Sequence, residues 1–264
     1  MRIAIMICGH MRTYKENYEN FYKAHIEPNK NHNIDLFIVT SDVNSARHNL
    51  DPTIEPTSEL KNDKKYYKGH GIIYNIDSNK LLKEIKNQYK DDFYKLVKVH
   101  FVDEKIKDNN IDPMSWEWFR RGIFSKPYYG MQLVKEYQKE NNFKYDAIIR
   151  CRPDITPTQP VTINSIDENH IYVFGGPLKT FQPWQSDEKY EDGIYIFDSY
   201  AHGDLKTMET YVNIHKKYEP SSTIVKKHPH NSENQLYLHL KKNNININYV
   251  INHRHGYGQC YGNE

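Results

Sequence analysis

Residues 145–155, Tyr-Asp-Ala-Ile-Ile-Arg-Cys-Arg-Pro-Asp-Ile, end an apolar run in two guanidinium groups and a carboxylate, Arg150, Arg152 and Asp154. Arginine forks match phosphate oxygens with parallel hydrogen bonds, and an aspartate beside them can hold a divalent cation or a sugar hydroxyl. The set suits an anionic, phosphate-bearing ligand. The same residues also admit a purely structural use, in which Arg150 pairs with a neighbouring acid and Asp154 caps a turn, because ion pairs also gather at strand ends. Two other clusters share this character. Gly9, His10 and Arg12 follow the apolar run RIAIMIC, and Thr40, Ser41 and Asp42 close the run IDLFIVTSD.

Elements that would bring these clusters together can be read from periodicity. RIAIMIC (2–8) predicts a strand, and YKENYENFYKAHI predicts a helix, with Tyr14, Tyr18, Phe21, Tyr22 and Ile26 at helical spacing. A second strand is expected at 34–42, then a polar stretch with Pro52 and Pro56 that reads as a loop carrying one short element. Residues 78–98 read as a helix capped by Ser78, and 98–102 as a strand. Residues 115–141 read as helix interrupted near Pro127, and YDAIIRC as a strand covered on both faces. Pro153 should end that strand, since proline cannot donate to the ladder. Alternation then puts Arg150 and Arg152 on one side and Cys151 on the other, with Asp154 aimed into a cleft. Strands at 170–176, 193–199 and 244–252 and helices at 203–218 and 231–243 complete the alternation, the last helix capped by Asn231 or Ser232.

Interleaved strands and helices without repeats predict an α/β protein with a mainly parallel sheet sandwiched by helices. In such sheets ligands bind at the carboxyl ends of the strands, where the strand order reverses. All three polar clusters fall at such ends.

Composition narrows the function classes. The 264 residues, 38% hydrophobic and 13% aromatic, can bury a substantial core. A formal charge of +2 gives no basic excess, so no nucleic-acid partner is expected. Three widely spaced cysteines, Cys8, Cys151 and Cys260, form no CxxC pair and fit a reducing compartment. No segment reads as a signal peptide or a membrane span, and a cytoplasmic location follows as the expectation, peripheral to a membrane at most.

The succession RIAIMICGHMRTY, IDLFIVTSD, SKPYYGMQLVKEYQ, YDAIIRCRPDI and SENQLYLHLKKNNI resembles a broad group of nucleotide-sugar glycosyltransferases of the GT-A fold, found in bacterial surface-polysaccharide clusters and large DNA viruses. The resemblance spans most of the chain but is carried by short motifs. It implies one GT-A-like, Rossmann-like domain over 1–264, with a nucleotide-binding half at 1–155 and an acceptor-binding half at 156–264. It implies a nucleoside diphosphate sugar donor, a glycan acceptor, and Mn2+ or Mg2+ held by an Asp-x-Asp-type motif. Here that motif is Arg152-Pro153-Asp154, so only Asp154 carries over as the metal-facing carboxylate. Arg152, standing for an acid, would neutralise the diphosphate itself. Lys126 and Tyr129 in the third segment fall with the donor-binding residues.

Glycosyl transfer builds positive charge on the anomeric carbon and negative charge on the departing diphosphate, so cations are needed there and an inverting enzyme also needs a base. Asp192 precedes a strand where related enzymes carry an acceptor-side acid, and Glu233 opens a helix. The plain alternatives are a turn residue for Asp192 and, for Glu233, a charge favoured by the helix dipole. His253 and His255 follow the last strand, where many GT-A enzymes supply a late histidine as metal ligand, and two residues that far apart on extended chain point the same way. His228 and His230 read as solvated loop histidines, and Trp116, Trp118 and Trp184 as sugar-stacking platforms or core plugs. Two readings remain, a glycosyltransferase and a non-catalytic nucleotide- or glycan-binding relative. A nucleotidyltransferase is weaker, because CGHMRT holds a single glycine.

Overall fold

The computed structural model describes residues 1–46, 66–67, 71–102, 116–155, 159–177, 194–218 and 232–252. Strands among them are β1 (Arg2–Cys8), β2 (Asn33–Ser41), β3 (Val43–Ala46), β4 (Tyr66–Tyr67), β5 (Gly71–Asn75), β6 (Tyr94–Val102), β7 (Ala147–Cys151), β8 (His170–Pro177), β9 (Ile194–Gly203) and β10 (Asn246–Asn252). The α-helices are α1 (Tyr14–Phe21), α2 (Ser78–Gln88), α3 (Trp116–Asn141), α4 (Leu205–Val212) and α5 (Ser232–Lys242).

β1 is apolar throughout its length because it lies inside a seven-stranded sheet of order β10-β8-β9-β7-β1-β2-β6. It pairs in parallel with β2 on one side and β7 on the other. The β2–β6 and β8–β10 pairs are also parallel, while β9 runs antiparallel to both β7 and β8. The result is a mixed, mostly parallel sheet flanked by helices, compatible with a Rossmann-like fold.

Alternation along β1 divides the core into two layers. Ala4, Met6 and Cys8 join Phe37, Val39 and Ile148 on the face covered by α3, α4 and α5, through Met131, Val134, Met208 and Leu236. Ile3, Ile5 and Ile7 face the other way, onto Tyr14 and Phe21 of α1 and Leu81 and Ile85 of α2. Both faces are apolar because both are covered. No helix among the described residues is long and apolar enough to cross a membrane.

Three elements depart from the sequence expectation. The helix expected over 78–98 stops at Gln88, and its cap is Asp77, whose Oδ1 accepts from the Asn79 and Lys80 amides at 3.0 and 3.1 Å. Tyr94–Val102 is instead a strand, because β2 has a free edge that this segment pairs in parallel. The helix expected to break near Pro127 runs unbroken from Trp116 to Asn141. Proline removes one internal hydrogen bond, but Phe124, Met131, Leu133 and Val134 all bury on the sheet, and that burial outweighs the local loss. Within 49–71, expected as a loop with one short element, the described residues hold the two-residue β4 and the first residue of β5, and these strands join β3 in a second, antiparallel sheet of order β3-β5-β4. Its link to β2 is short, the Ile76 amide donating to the Asp42 carbonyl at 2.9 Å.

The helix expected to reach Ile26 does so, but its last turn, Tyr22–Ile26, widens into a π-helix that carries His25 into the core. His25 is fully buried, its ring stacked on Tyr200 at 5.5 Å, and neither ring nitrogen meets a partner among the described residues. Nearby, His202 takes part in a 2.7 Å hydrogen bond with the Tyr200 hydroxyl and stacks on Tyr172. Burial lowers both histidines from 6.5 to about 3, with the neighbouring His25 adding to the effect on His202. Each is neutral in the fold, while the unfolded chain protonates them at their ordinary value. Stability is therefore full above about pH 6.5 and lost as pH falls toward about 3, at up to about 1.4 kcal/mol per pH unit for each histidine. Denaturation measured between pH 4 and 8 should show that slope, and His25→Phe should remove one proton's share of it. An unchanged slope in the variant would place the titration elsewhere.

Candidate functional site

The strand order reverses between β1 and β7: β2 and β6 lie on one side of β1, and everything from β7 onward on the other. Loops leaving the carboxyl ends of two parallel strands diverge at such a point and leave a crevice. Gly9 begins the loop after β1, and its amide donates to the Val39 carbonyl of β2 at 3.1 Å. A Cβ on Gly9 would lie 2.8 Å from Cδ of Pro153, so the loop after β7 rests where any side chain would sit. Asn17 of α1 fastens that loop from below, its Nδ2 donating to the Pro153 carbonyl at 3.0 Å. Pro153 ends β7 as expected, with Arg152 bridging only to Ile155.

Asp154 meets arginines. Arg152 donates from Nε to Oδ1 and from Nη2 to Oδ2, each at 2.8 Å, and Arg12 donates from Nη2 to Oδ2 at 2.7 Å. The carboxylate is 9% exposed. Burial alone would raise its pKa, but the charge and hydrogen bonds of Arg152, with Arg12 and His10 behind them, hold it well below the usual carboxylate range. A carboxylate has about four acceptor sites, and three of Asp154's are taken by cationic donors. Held this way it does not fit a divalent cation, which would have to approach beside two guanidinium groups. Among the described residues no group of three or more His, Cys, Asp or Glu is arranged to hold a metal. His253 and His255 lie outside the described residues, as do Asp192 and Trp184.

Arg150 is placed quite differently. It stands opposite Met6 in the β1–β7 register, and alternation carries it to the face under α3, while Ile149 and Cys151 bury on the other. It is only 2% exposed, and its Nε and Nη1 meet no acceptor among the described residues. Lys126 of α3 is also 2% exposed. The Cys8 thiol reports both charges: burial pushes it up to about 12, against the opposing pull of Arg150 and Lys126. Gly130, one turn after Lys126, lets α3 come this near, since a Cβ there would meet Cys8 Sγ and Met6 Sδ at 3.2 Å. Asp154, expected in the structural alternative to cap a turn, is engaged by Arg152 and Arg12.

The expected residues thus divide into two groups. Gly9, Arg12, Arg152 and Asp154 meet at the reversal point, with the His10 charge felt at Asp154. Arg150 and Lys126 are both buried, and the charge of each is felt at Cys8. Thr40 and Ser41 are fully buried at the end of β2, next to β1, and the Thr40 hydroxyl has no partner among the described residues. Tyr129 stands apart, 39% exposed, its ring beside His100 of the edge strand β6. Glu233 lies in the first turn of α5. Asn17 and Gly130 were not anticipated. Asn17 had a signal, a polar residue between Tyr14 and Phe21 on an otherwise apolar helix face.

A scan against protein-family models finds no match, and a search of curated proteins finds none.

Asp154→Asn should destabilise the fold by about 3 kcal/mol near neutral pH, since it leaves two poorly compensated guanidiniums. The depressed carboxyl pKa gives the sign of the pH effect. Its stabilisation is complete above the ordinary value of 3.8 and is lost as pH falls below it. The gap between wild type and variant, followed by denaturant titration, should therefore narrow toward low pH. A gap that stays constant down to pH 2 would show that the ion pairs contribute nothing.

Proposed function

We propose that this chain is a glycosyltransferase of GT-A-like fold, moving a sugar from a nucleoside diphosphate sugar to a glycan or other hydroxyl acceptor. The observation that carries this reading is the buried Arg150 guanidinium, without an acceptor among the described residues on Nε and Nη1 and with the Lys126 charge felt, like its own, at Cys8, near the carboxyl end of a parallel strand where the strand order reverses. Burying an uncompensated charge is costly, and a phosphate group removes that cost. As the sugar leaves, negative charge collects on the diphosphate, and fixed cations in a water-poor site stabilise it without reorganising.

The remaining roles follow from position. Gly9 to Arg12 and Thr40 to Asp42 flank the crevice edge where a Rossmann-like half takes the nucleoside. The Arg12–Asp154–Arg152 cluster keeps one positive charge in excess at its mouth. An acceptor hydroxyl needs a base, and Asp192 is assigned that role, with Glu233 at the start of α5 as the other candidate. The second reading, a non-catalytic relative that binds a nucleotide or glycan, has one observation in its favour: the acid of the motif is engaged by two arginines.

Two measurements separate these readings. A uridine or guanosine diphosphate at about 100 times its dissociation constant should stabilise the fold by about 2.7 kcal/mol, and no stabilisation by any nucleoside diphosphate would remove both. Release of nucleoside diphosphate from a bound donor sugar then distinguishes enzyme from binder. If Asp192 is the base, Asp192→Asn should lower turnover about 100-fold or more while leaving donor affinity nearly unchanged. An equal loss of affinity would move Asp192 to donor binding.

A further inference from the structure

We infer that the donor's diphosphate is neutralised by the side chains Arg150 and Lys126 rather than by a divalent cation on Asp154, and that Asp154 is a positioning residue for the loop after β7. The inference rests on the glycosyltransferase reading and specifies how that site meets its anion.

The two aspects of the Arg-Cys-Arg-Pro-Asp stretch point the same way. Asp154 already neutralises part of the charge of two arginines, through three hydrogen bonds of 2.7 to 2.8 Å. A second cation there would have to displace those donors from a carboxylate that is 9% exposed. Arg150 presents the opposite situation. Its Nε and Nη1 lie on different edges of the guanidinium plane, both buried and both without an acceptor among the described residues. The several oxygens of a diphosphate can reach more than one edge of such a plane. Lys126 of α3 adds a second buried charge, and both charges act on the Cys8 thiol at the last position of β1.

The arrangement also explains why α3 lies so close to β1. Glycine inside a helix is unfavourable by roughly 0.5–1 kcal/mol relative to alanine. At Gly130 a Cβ would crowd Cys8 and Met6 at 3.2 Å, so glycine lets the helix lie close to the end of β1. Asp154 acts through others: by holding Arg152 and Arg12 it keeps Pro153 seated on Gly9 and β7 in line with β1, so that Arg150 stays opposite Met6.

The test uses the full chain with inorganic pyrophosphate, uridine diphosphate and guanosine diphosphate as probes. Thermal shifts and titration calorimetry are recorded with manganese and with EDTA, on wild type, Arg150→Met, Arg150→Lys and Asp154→Asn. Pyrophosphate and one nucleotide should bind wild type equally well in EDTA. Arg150→Met should weaken them about 30-fold or more while leaving the melting temperature of the free protein unchanged or higher, because two buried donors without acceptors have been removed. A purely structural arginine would show the reverse, a lower melting temperature with ligand affinity intact, and that result overturns the inference. Should Arg150→Met fail to fold, Arg150→Lys keeps the charge without the fork, and it must still weaken pyrophosphate binding; unchanged affinity there overturns the inference as well. Asp154→Asn should lower the melting temperature yet retain EDTA-resistant binding. Nucleotide binding that requires manganese and disappears in both EDTA and Asp154→Asn would overturn the inference while sparing the glycosyltransferase reading. Pyrophosphate binding without any nucleotide binding, with or without manganese, would instead overturn the reading on which it rests.

Discussion

Two loops can share the carboxyl edge of β1 and β7 only because residue 9 has no side chain. Pro153 occupies the space a Cβ would take, and from that contact the rest of the crevice is set. The proline ends β7, so the chain turns at Arg152 and brings Asp154 back toward Arg12 on the other loop. The ion cluster then locks what the steric fit permits, and Asn17 ties the same loop to α1. The joint is covered from the α1 side by apolar packing and from the loop side by charge, so neither loop can shift without breaking one of them.

The chain treats two buried charges in opposite ways within five residues. Asp154 is compensated beyond need, by two guanidiniums whose favourable field outweighs the desolvation that would otherwise neutralise it. Arg150 is left with two donors unmet in a layer otherwise built from Met6, Cys8, Val39 and Met131. Two buried donors without acceptors lower the stability of the free protein. A site that must recognise an anion has the opposite requirement: its donors have to be fixed in place and unoccupied before the ligand arrives.

Much of this architecture was legible from residue pattern. β1, β2 and β7 are apolar on both faces and end in Gly9, Asp42 and Pro153, so periodicity and chain-breaking residues agree there. The failures have physical causes. Residues 94–98 carry lysines three apart, Lys95 and Lys98, and read equally as helix, and only the free edge of β2 decides for a strand. Pro127 is a local signal against a helix that tertiary burial overrides. Arg150 and Arg152 were expected side by side from alternation, but the strand stops between them, and the second turns to Asp154 while the first stays beneath α3. The π-turn that buries His25 has no sequence signature, because it depends on Tyr200 arriving from β9.

The placement of charge relative to topology gives the last step. A divalent metal needs acids converging from several elements, and at this reversal point Asp154 is already engaged by two arginines, while the strands bring Thr40 and Ser41, followed by Asp42, from β2, Arg150 from β7 and Cys8 from β1. The thiol is instructive because it is held protonated by burial even with two cations beside it. A thiolate would have satisfied Arg150 and closed the site to any other anion. The neutral thiol fills the space and leaves Nε and Nη1 of Arg150 without an acceptor among the described residues, as the proposed anion site requires.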